Sequence, residues 1–220
     1  TGSTANDTSG NNNTGSISGA TWTTGKIAGG LNFNGTSNFV SIPDSSSLDI
    51  AGAGTIATWI NPSAVNRWNG VFAKGNLNDD GRSYNYAMEV KNDNHVVCVF
   101  GNGTTPNTVT STATITANQL THVACTWDGS SYKLYINGAL DASVSQTITP
   151  SINSSPLYLG QYGSSSDRLQ GVLDEVRIYN RSLSTSEIQD LYNYTGVTLP
   201  PQIYSFSASP SSTVSGQVVE

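Results

Sequence analysis

The carboxylate residues decide first whether this chain can catalyse hydrolysis. Enzymes that cleave glycosidic bonds need two carboxyl groups about 5–10 Å apart on either side of the scissile bond. Here Asp79 and Asp80 lie in a loop rich in Gly and Asn, and Asp174 and Glu175 are adjacent, so a strand would direct them to opposite faces. The two histidines have no Ser and Asp partners at a recognisable spacing. The sequence therefore predicts a protein that is not an enzyme.

Aromatic residues in polar loops indicate a different chemistry, the binding of a neutral glycan. Trp68 lies among Asn, Arg and Gly residues, where a large ring is not an obvious part of a core. Such a ring can stack on a sugar while nearby polar groups bind its hydroxyl groups. The alternative is that Trp68 folds over the edge of the protein. We expect three loops, 62–70, 75–86 and 160–168, to lie together and to supply the ligand-binding residues Trp68, Asp80, Arg82, Tyr84, Tyr162 and Arg168.

The strand that these patterns predict most clearly spans residues 172–179. Its residues alternate with a period of two, and this places Asp174 on the same face as Val172, Val176 and Ile178. A carboxylate on an apolar face is costly unless it is paired or hydrogen-bonded. Asp174 therefore needs a partner.

A short helix is predicted directly after this strand. Ser184 and Glu187 have the spacing of a capping box, and an apolar stripe follows at residues 188–192. Gly196 is placed to end the helix.

Composition indicates an all-β protein and argues against two classes of partner. Strand-forming Thr, Val, Ile and Tyr alternate at short spacing with turns of Asn, Gly and Ser, as in a β-sandwich. The net charge is −6 and the nine Lys and Arg residues are scattered, which argues against nucleic acid. No apolar run approaches the ~20 residues of a membrane helix, so no membrane insertion is expected.

The two cysteines, Cys98 and Cys125, each fall in a predicted strand. They are either two buried free thiols that act as small apolar side chains, or one disulfide, as is typical of extracellular proteins. No Cys-x-x-Cys spacing is present, so neither a metal site nor a catalytic cysteine is indicated.

Four segments of the chain carry a resemblance to a known family. They are residues 29–43 (GGLNFNGTSNFVSIP), 56–62 (IATWINP), 122–138 (with HVACTWDG and YKLYING) and 174–184 (DEVRIYNRSLS). In this order they resemble the laminin-G-like, concanavalin A-like jelly rolls, and in particular the bacterial LamG-like group. The resemblance implies an all-β, two-sheet antiparallel jelly-roll sandwich with one short C-terminal helix.

The resemblance also implies a structural calcium ion. In the resembling jelly rolls an N-terminal polar loop and the aspartate of the last strand meet at one Ca²⁺. In this sequence the corresponding ligands are Asp7, Asp174 and a carbonyl group near Asn12. The alternative is that Asp174 accepts hydrogen bonds from that loop and no metal is bound. The family usually has a strand before the loop, and no such strand is predicted here.

Two prolines, Pro200 and Pro201, mark the predicted end of the jelly roll. We expect residues 1–199 to form this domain, and residues 200–220 resemble a linker with the start of an immunoglobulin-like domain. The predicted protein is then a monomeric module of a secreted or cell-surface multidomain protein. It would bind a polysaccharide or other glycan without cleaving it. The alternative is a protein-binding or structural adhesion module.

Overall fold

The computed structural model of the chain describes residues 2–78, 81–163 and 167–196. Its strands, in chain order, are β1 (Thr4–Ala5), β2 (Gly15–Ser18), β3 (Thr21–Thr24), β4 (Gly29–Asn34), β5 (Phe39–Ile42), β6 (Gly54–Pro62), β7 (Asn69–Lys74), β8 (Tyr86–Val90), β9 (His95–Gly101), β10 (Pro106–Thr114), β11 (Thr121–Trp127), β12 (Ser131–Ile136), β13 (Ala139–Ser145), β14 (Leu157–Leu159), β15 (Gln161–Tyr162), β16 (Asp167–Arg168) and β17 (Gln170–Tyr179). A 3-10 turn (Ser46–Leu48) and one α-helix, α1 (Thr185–Asn193), complete the described elements.

The strands form two antiparallel sheets that enclose one main core. The eight-stranded sheet has the order β1-β2-β5-β14-β7-β8-β9-β10, and the seven-stranded sheet has the order β13-β12-β11-β6-β17-β4-β3. β15 and β16 form a separate hairpin that contacts β7. These elements confirm the predicted all-β sandwich with one short C-terminal helix. The predicted immunoglobulin-like segment, 200–220, lies outside the described residues.

Side-chain alternation within the strands builds the core between the sheets. In β8, Tyr86, Met88 and Val90 belong to the main core, whereas Ala87 belongs to a separate cluster on the outer face of the eight-stranded sheet. Glu89 therefore points outward as well, since it lies two residues after Ala87 on the same strand. This alternation gives the eight-stranded sheet an outer face on which polar and aromatic groups can gather.

A disulfide joins the two sheets across the core. Cys98 on β9 bonds to Cys125 on β11, with their Cα atoms 6.6 Å apart. Of the two alternatives for these cysteines, the disulfide is therefore the one that the structure shows.

An irregularity in β17 corrects the prediction for Asp174. The register with β6 shifts after Asp174, and Glu175 has a positive φ of 51°. The extra residue of this bulge reverses the alternation, so Val176 enters the core while Asp174 lies opposite Trp59 on the outer face of the seven-stranded sheet. Asp174 does not share a face with the valine and isoleucine that follow it.

The helix α1 begins as predicted. The hydroxyl group of Ser184 accepts a hydrogen bond from the backbone N–H of Glu187, whose carboxylate accepts one from the backbone N–H of Ser184. Ile188 and Leu191 are buried against the outer face of the seven-stranded sheet. The helix ends at Asn193, three residues before Gly196. Among the described residues, no helix is long and apolar enough to cross a membrane.

The polar N-terminal segment is folded, and it contains a strand that the sequence did not predict. β1 pairs with β2 and so precedes the polar loop of residues 6–14. The carboxylate of Asp7 organises this loop, because it accepts hydrogen bonds from the backbone N–H groups of Ser9 and Asn13, both at 2.8 Å. Asn13 in turn bonds the hydroxyl group of Ser47 at 3.0 Å, which ties the loop to the 3-10 turn.

Candidate ligand-binding site

The hairpin of β15 and β16 lies directly on the outer face of β7. Gly70 permits this contact, since a Cβ atom at this position would collide with the backbone of Tyr162 and of Asp167. The predicted loop 75–86 also reaches the hairpin, because the backbone N–H of Gly163 donates a hydrogen bond to the hydroxyl group of Tyr84 at 3.3 Å. The three loops that were expected to form the site therefore meet.

Trp68 is the exposed aromatic residue of this region. Of its surface, 37% is accessible, so it is not folded into the core. Two hydrogen bonds, made by the two residues before Trp68, hold its loop in place. The backbone N–H of Asn66 bonds Oδ1 of Asn94 at 2.7 Å, and Nη1 of Arg67 donates to Oε1 of Gln170 at 2.8 Å. The chain thus holds a large exposed ring on a fixed loop, which lowers the entropy lost when a ligand binds.

Tyr84 does not reach the surface, and this corrects its predicted role. It is fully buried, and its ring packs edge-on against Tyr162 with the ring centres 5.1 Å apart. Tyr84 therefore supports Tyr162 from below and cannot itself stack on a ligand. Arg82 is exposed near this pair, and its contact with a ligand stays a prediction. Asp80 lies outside the described residues.

Arg168 lies on the other side of the hairpin, over aromatic residues that the sequence analysis missed. Its guanidinium carbon is 4.9 Å from the ring centre of Phe39, and Phe39 lies 6.0 Å from the ring of Tyr158. Phe39 and Tyr158 are half-buried and alternate with buried Val40 and Leu159. Strand alternation is the signal that could have placed both rings on the outer face.

We use the name aromatic strip for the side chains that β5, β14, the hairpin and the loop before β7 place on the outer side of the eight-stranded sheet. It consists of Trp68, Tyr162, Arg168, Phe39 and Tyr158. The strip offers apolar ring surface together with a guanidinium group. Rings and planar charged groups are the groups with which a protein binds a sugar by stacking and by hydrogen bonds.

A second residue that the sequence analysis did not select is Glu89. It lies opposite Gly70 on β7 and opposite Val97 on β9, and only 5% of its surface is exposed. Burial, helped by the negative charge of Asp167, raises the pKa of Glu89 to about 8. A single carboxylate between short strands has no sequence motif, so only the fold could identify it.

The residues predicted to bind calcium are held by hydrogen bonds from different segments. Asp7 is bound by Ser9 and Asn13 as described above. Oδ2 of Asp174 accepts from the backbone N–H of Ile27 at 3.0 Å, and its Oδ1 accepts from that of Glu175 at 2.8 Å. Asn12 adopts a left-handed backbone conformation, with φ of 60°. Backbone N–H groups thus satisfy each carboxylate without a metal ion, and calcium binding by Asp7, Asn12 and Asp174 stays a prediction. In the part of the chain that the structure describes, no three His, Cys, Asp or Glu residues form a metal-binding group.

The aromatic cluster on the opposite sheet is covered and does not offer a comparable surface. Trp59 stacks on Tyr192 of α1 at 5.4 Å, and Nζ of Lys26 lies 4.3 Å from its ring centre. His122 packs against the same ring, and burial, with the charges of Arg177 and Lys26, lowers its pKa to about 3. His122 is therefore a neutral packing residue.

Comparison with known proteins places the chain in a family. It belongs to the Laminin_G_3 family of the concanavalin A-like lectin/glucanases superfamily, because the sequence model of that family matches residues 34–189. A search of curated proteins finds no match.

Solved structures share the fold. The binding domain of Paraclostridial Mosquitocidal Protein 1 superposes with a TM-score of 0.71 at 21% identity, over 86% of this chain and 49% of that chain. Domain 4 of AbnA, an extracellular arabinanase from Geobacillus stearothermophilus, in complex with arabinotriose, has the same TM-score and identity, over 86% of this chain and 92% of that chain. The binding domain of botulinum neurotoxin serotype G gives 0.65 at 17% identity, over 84% and 47%. The chain thus spans about half the length of the mosquitocidal-protein and neurotoxin chains and nearly all of the arabinanase domain.

Proposed function

We propose that this chain is a non-catalytic carbohydrate-binding module of a secreted multidomain protein, and that the aromatic strip binds the saccharide. The observation that carries the proposal is the ring of Trp68, which is 37% exposed on an anchored loop beside the hairpin. An exposed large ring costs free energy in water unless a partner covers it. The other rings of the strip continue this surface over the same face of the sheet.

The chemistry of the strip favours a neutral or weakly acidic saccharide. Trp68 and Tyr162 supply faces for stacking, and the guanidinium group of Arg168 supplies hydrogen-bond donors for hydroxyl or carboxylate groups. By analogy with base stacking, each ring contributes on the order of 1–3 kcal/mol. An affinity in the micromolar to millimolar range is therefore expected for a short oligosaccharide.

Two further observations support this function. The arabinanase domain with the same fold was solved with arabinotriose bound, which makes an arabino-oligosaccharide a rational first probe. The disulfide between Cys98 and Cys125 is typical of proteins that work outside the cell, where polysaccharides are found.

Replacing Trp68 tests the proposal. A glycan array with arabinotriose included identifies a ligand, and calorimetry then compares wild type with Trp68→Ala. We expect the variant to lose detectable binding, while its melting temperature stays within about a degree, because an exposed loop residue contributes little to stability. The matched control is Leu140→Ala, which removes another exposed apolar side chain, on β13 of the other sheet. Equal binding by wild type and both variants would contradict the site, and no saccharide binding by wild type would contradict the function.

A further inference from the structure

The carboxyl group of Glu89 has a buried oxygen atom that makes no hydrogen bond to any described residue. Its Oε2 atom is buried and has no hydrogen-bond partner in the described part of the protein. A buried polar atom without a partner costs about 1–3 kcal/mol, so proteins retain few of them. Where one persists on the face that carries the exposed rings, a ligand is a direct explanation.

The residues next to Glu89 on the outer face of the sheet are apolar or have no side chain. Ala87 and Val97, its neighbours on the outer face, are buried, and Gly70 opposes it without a side chain. The hairpin backbone rests on this same glycine. The exposed remainder of Glu89 lies on the outer face, since its side chain points away from the core. Trp68 precedes Gly70 by two residues, so the Cα atoms of these two residues are at most about 7 Å apart.

We propose that Glu89 is a ligand-binding residue of this module, and that its protonated carboxyl group donates a hydrogen bond to a saccharide hydroxyl group laid beside Trp68. This inference rests on the proposed carbohydrate-binding function and specifies its central polar contact. A neutral acid can both donate and accept a hydrogen bond, which matches a sugar hydroxyl group.

Burial, more than the nearby charges, favours the protonated form of Glu89. Burial and the nearby carboxylate of Asp167 raise the pKa of Glu89 to about 8, although Lys91 acts in the opposite direction. A saccharide laid over the group removes it further from water and so disfavours ionisation more strongly. By element, the titratable groups that face this region are Asp167 on β16, Tyr162 on β15, His95 on β9 and Lys91 after β8.

Binding should therefore weaken in alkaline solution. If only the protonated form binds, a pKa of about 8 lowers the affinity about tenfold between pH 7 and pH 9. Complex formation near pH 8 should also take up protons from the buffer, because the ligand raises the pKa of the group that it covers.

The experiment titrates arabinotriose, and the strongest ligand of a glycan array, into the whole chain by calorimetry. Titrations at pH 6, 7, 8 and 9, in two buffers of different ionisation enthalpy, give the affinity and the proton uptake. Glu89→Gln removes the ionisable group, so we expect the affinity that remains to be the same from pH 6 to pH 9 and the proton uptake to be lost. His95→Gln is the control at a neighbouring residue of the same face and should retain both the pH dependence and the proton uptake.

The outcomes separate this inference from the proposed function. Saccharide binding whose affinity is constant from pH 6 to pH 9 without proton uptake overturns the role of Glu89 and leaves the proposed function standing. Loss of the pH dependence in His95→Gln instead of Glu89→Gln also overturns it. If wild type binds no saccharide at any pH, both fall. Proton uptake by wild type is measured without any variant, so the result does not depend on whether Glu89→Gln folds.

Discussion

Asp174 shows at the scale of one residue how burial and hydrogen bonding compete. Two backbone N–H groups, of Ile27 and Glu175, bond its oxygens. These bonds favour the ionised form, yet burial outweighs them and raises the pKa of Asp174 to about 6. A bound calcium ion would reverse this balance, because a cation at the carboxylate stabilises the ionised form.

The pH dependence of stability should therefore reveal the state of Asp174. Its folded pKa, about 6, lies above the value of an unfolded aspartate, so its contribution is complete below about pH 4 and is lost as the pH rises through 6. The loss is on the order of 2 kcal/mol. In EDTA, we expect the melting temperature of wild type to fall between pH 4 and pH 7 relative to that of Asp174→Asn, which cannot titrate. Scanning calorimetry of both proteins measures this difference.

Repeating the same scans in calcium separates the two alternatives for this residue. With only hydrogen bonds at Asp174, the curves in calcium and in EDTA coincide. A melting temperature that rises in calcium in wild type, and does not rise in Asp174→Asn, would instead establish Asp174 as a calcium ligand. No relative fall in EDTA would contradict the burial argument itself.

The exposure or burial of single residues could be predicted from the sequence in some cases and not in others. The sequence allowed Trp68 either to be exposed for a ligand or to fold over the edge of the protein, and 37% of its surface is accessible. Tyr84 lies in an equally polar segment but is buried by Tyr162, a residue 78 positions later in the chain. Such contacts between distant segments leave no local pattern, and the same reason hid Glu89.

At the scale of elements, Lys74 connects three parts of the fold. It is the last residue of β7, and its side chain is fully buried. Nζ lies 2.7 Å from Oδ1 of Asp44 and 3.1 Å from Oδ1 of Asp49, and it donates to the carbonyl group of Asn153 at 2.8 Å. One ammonium group thus ties the segment after β5 and the segment before β14 to the eight-stranded sheet.

Removing this charge should destabilise the protein strongly. Lys74→Met keeps the aliphatic stem but leaves two carboxylates facing each other without their cation. The side chains of Asp44 and Asp49 are 35% and 22% exposed, so water compensates part of the loss, and the expected cost is about 2–3 kcal/mol. Guanidinium unfolding of the variant measures the loss. The matched control is Lys91→Met, whose pair with Asp93 is partly exposed and contributes at most about 1 kcal/mol. A loss in Lys74→Met no larger than that of the control would contradict the role of this cluster.

Some elements of the fold have a local sequence signal that predicts them, and others do not. The start of α1 was predictable because Ser184 and Glu187 form their capping box within one helical turn. The bulge at Glu175 was not, since a positive φ at a glutamate has no sequence signature. The hairpin of β15 and β16 depends on Gly70, which lies about ninety residues before it in the chain. The sequence predicted that loop 160–168 lies near the loop of Trp68, but it did not predict that this loop packs on β7.

For the whole molecule, the fold was predictable and the site only in outline. Short strands with turn residues between them determine a sandwich, and the family motifs occur in order along most of the chain. The aromatic strip depends instead on the order of strands in the sheet. β14 pairs with both β5 and β7, which brings Tyr158 beside Phe39 and the hairpin over β7.

The absence of hydrolysis is the prediction that concerns the molecule as a whole. Glu89 and Asp167 are carboxyl groups close enough to influence each other on the binding face. Hydrolysis needs two such groups on opposite sides of a glycosidic bond, with room for a water molecule or for direct attack. Here the backbone of Asp167 rests on Gly70, the residue opposite Glu89, so both carboxyl groups lie on the same side of a saccharide that covers this face and not on opposite sides of its glycosidic bond. Incubation of the chain with a broad panel of polysaccharides should therefore release no reducing ends, even from a polymer that it binds in a pull-down assay.

The control is Asp167→Asn, which should give the same baseline as wild type. Sustained release by wild type that disappears in Asp167→Asn or in Glu89→Gln would identify the pair as catalytic and would replace the binding module with a glycosidase.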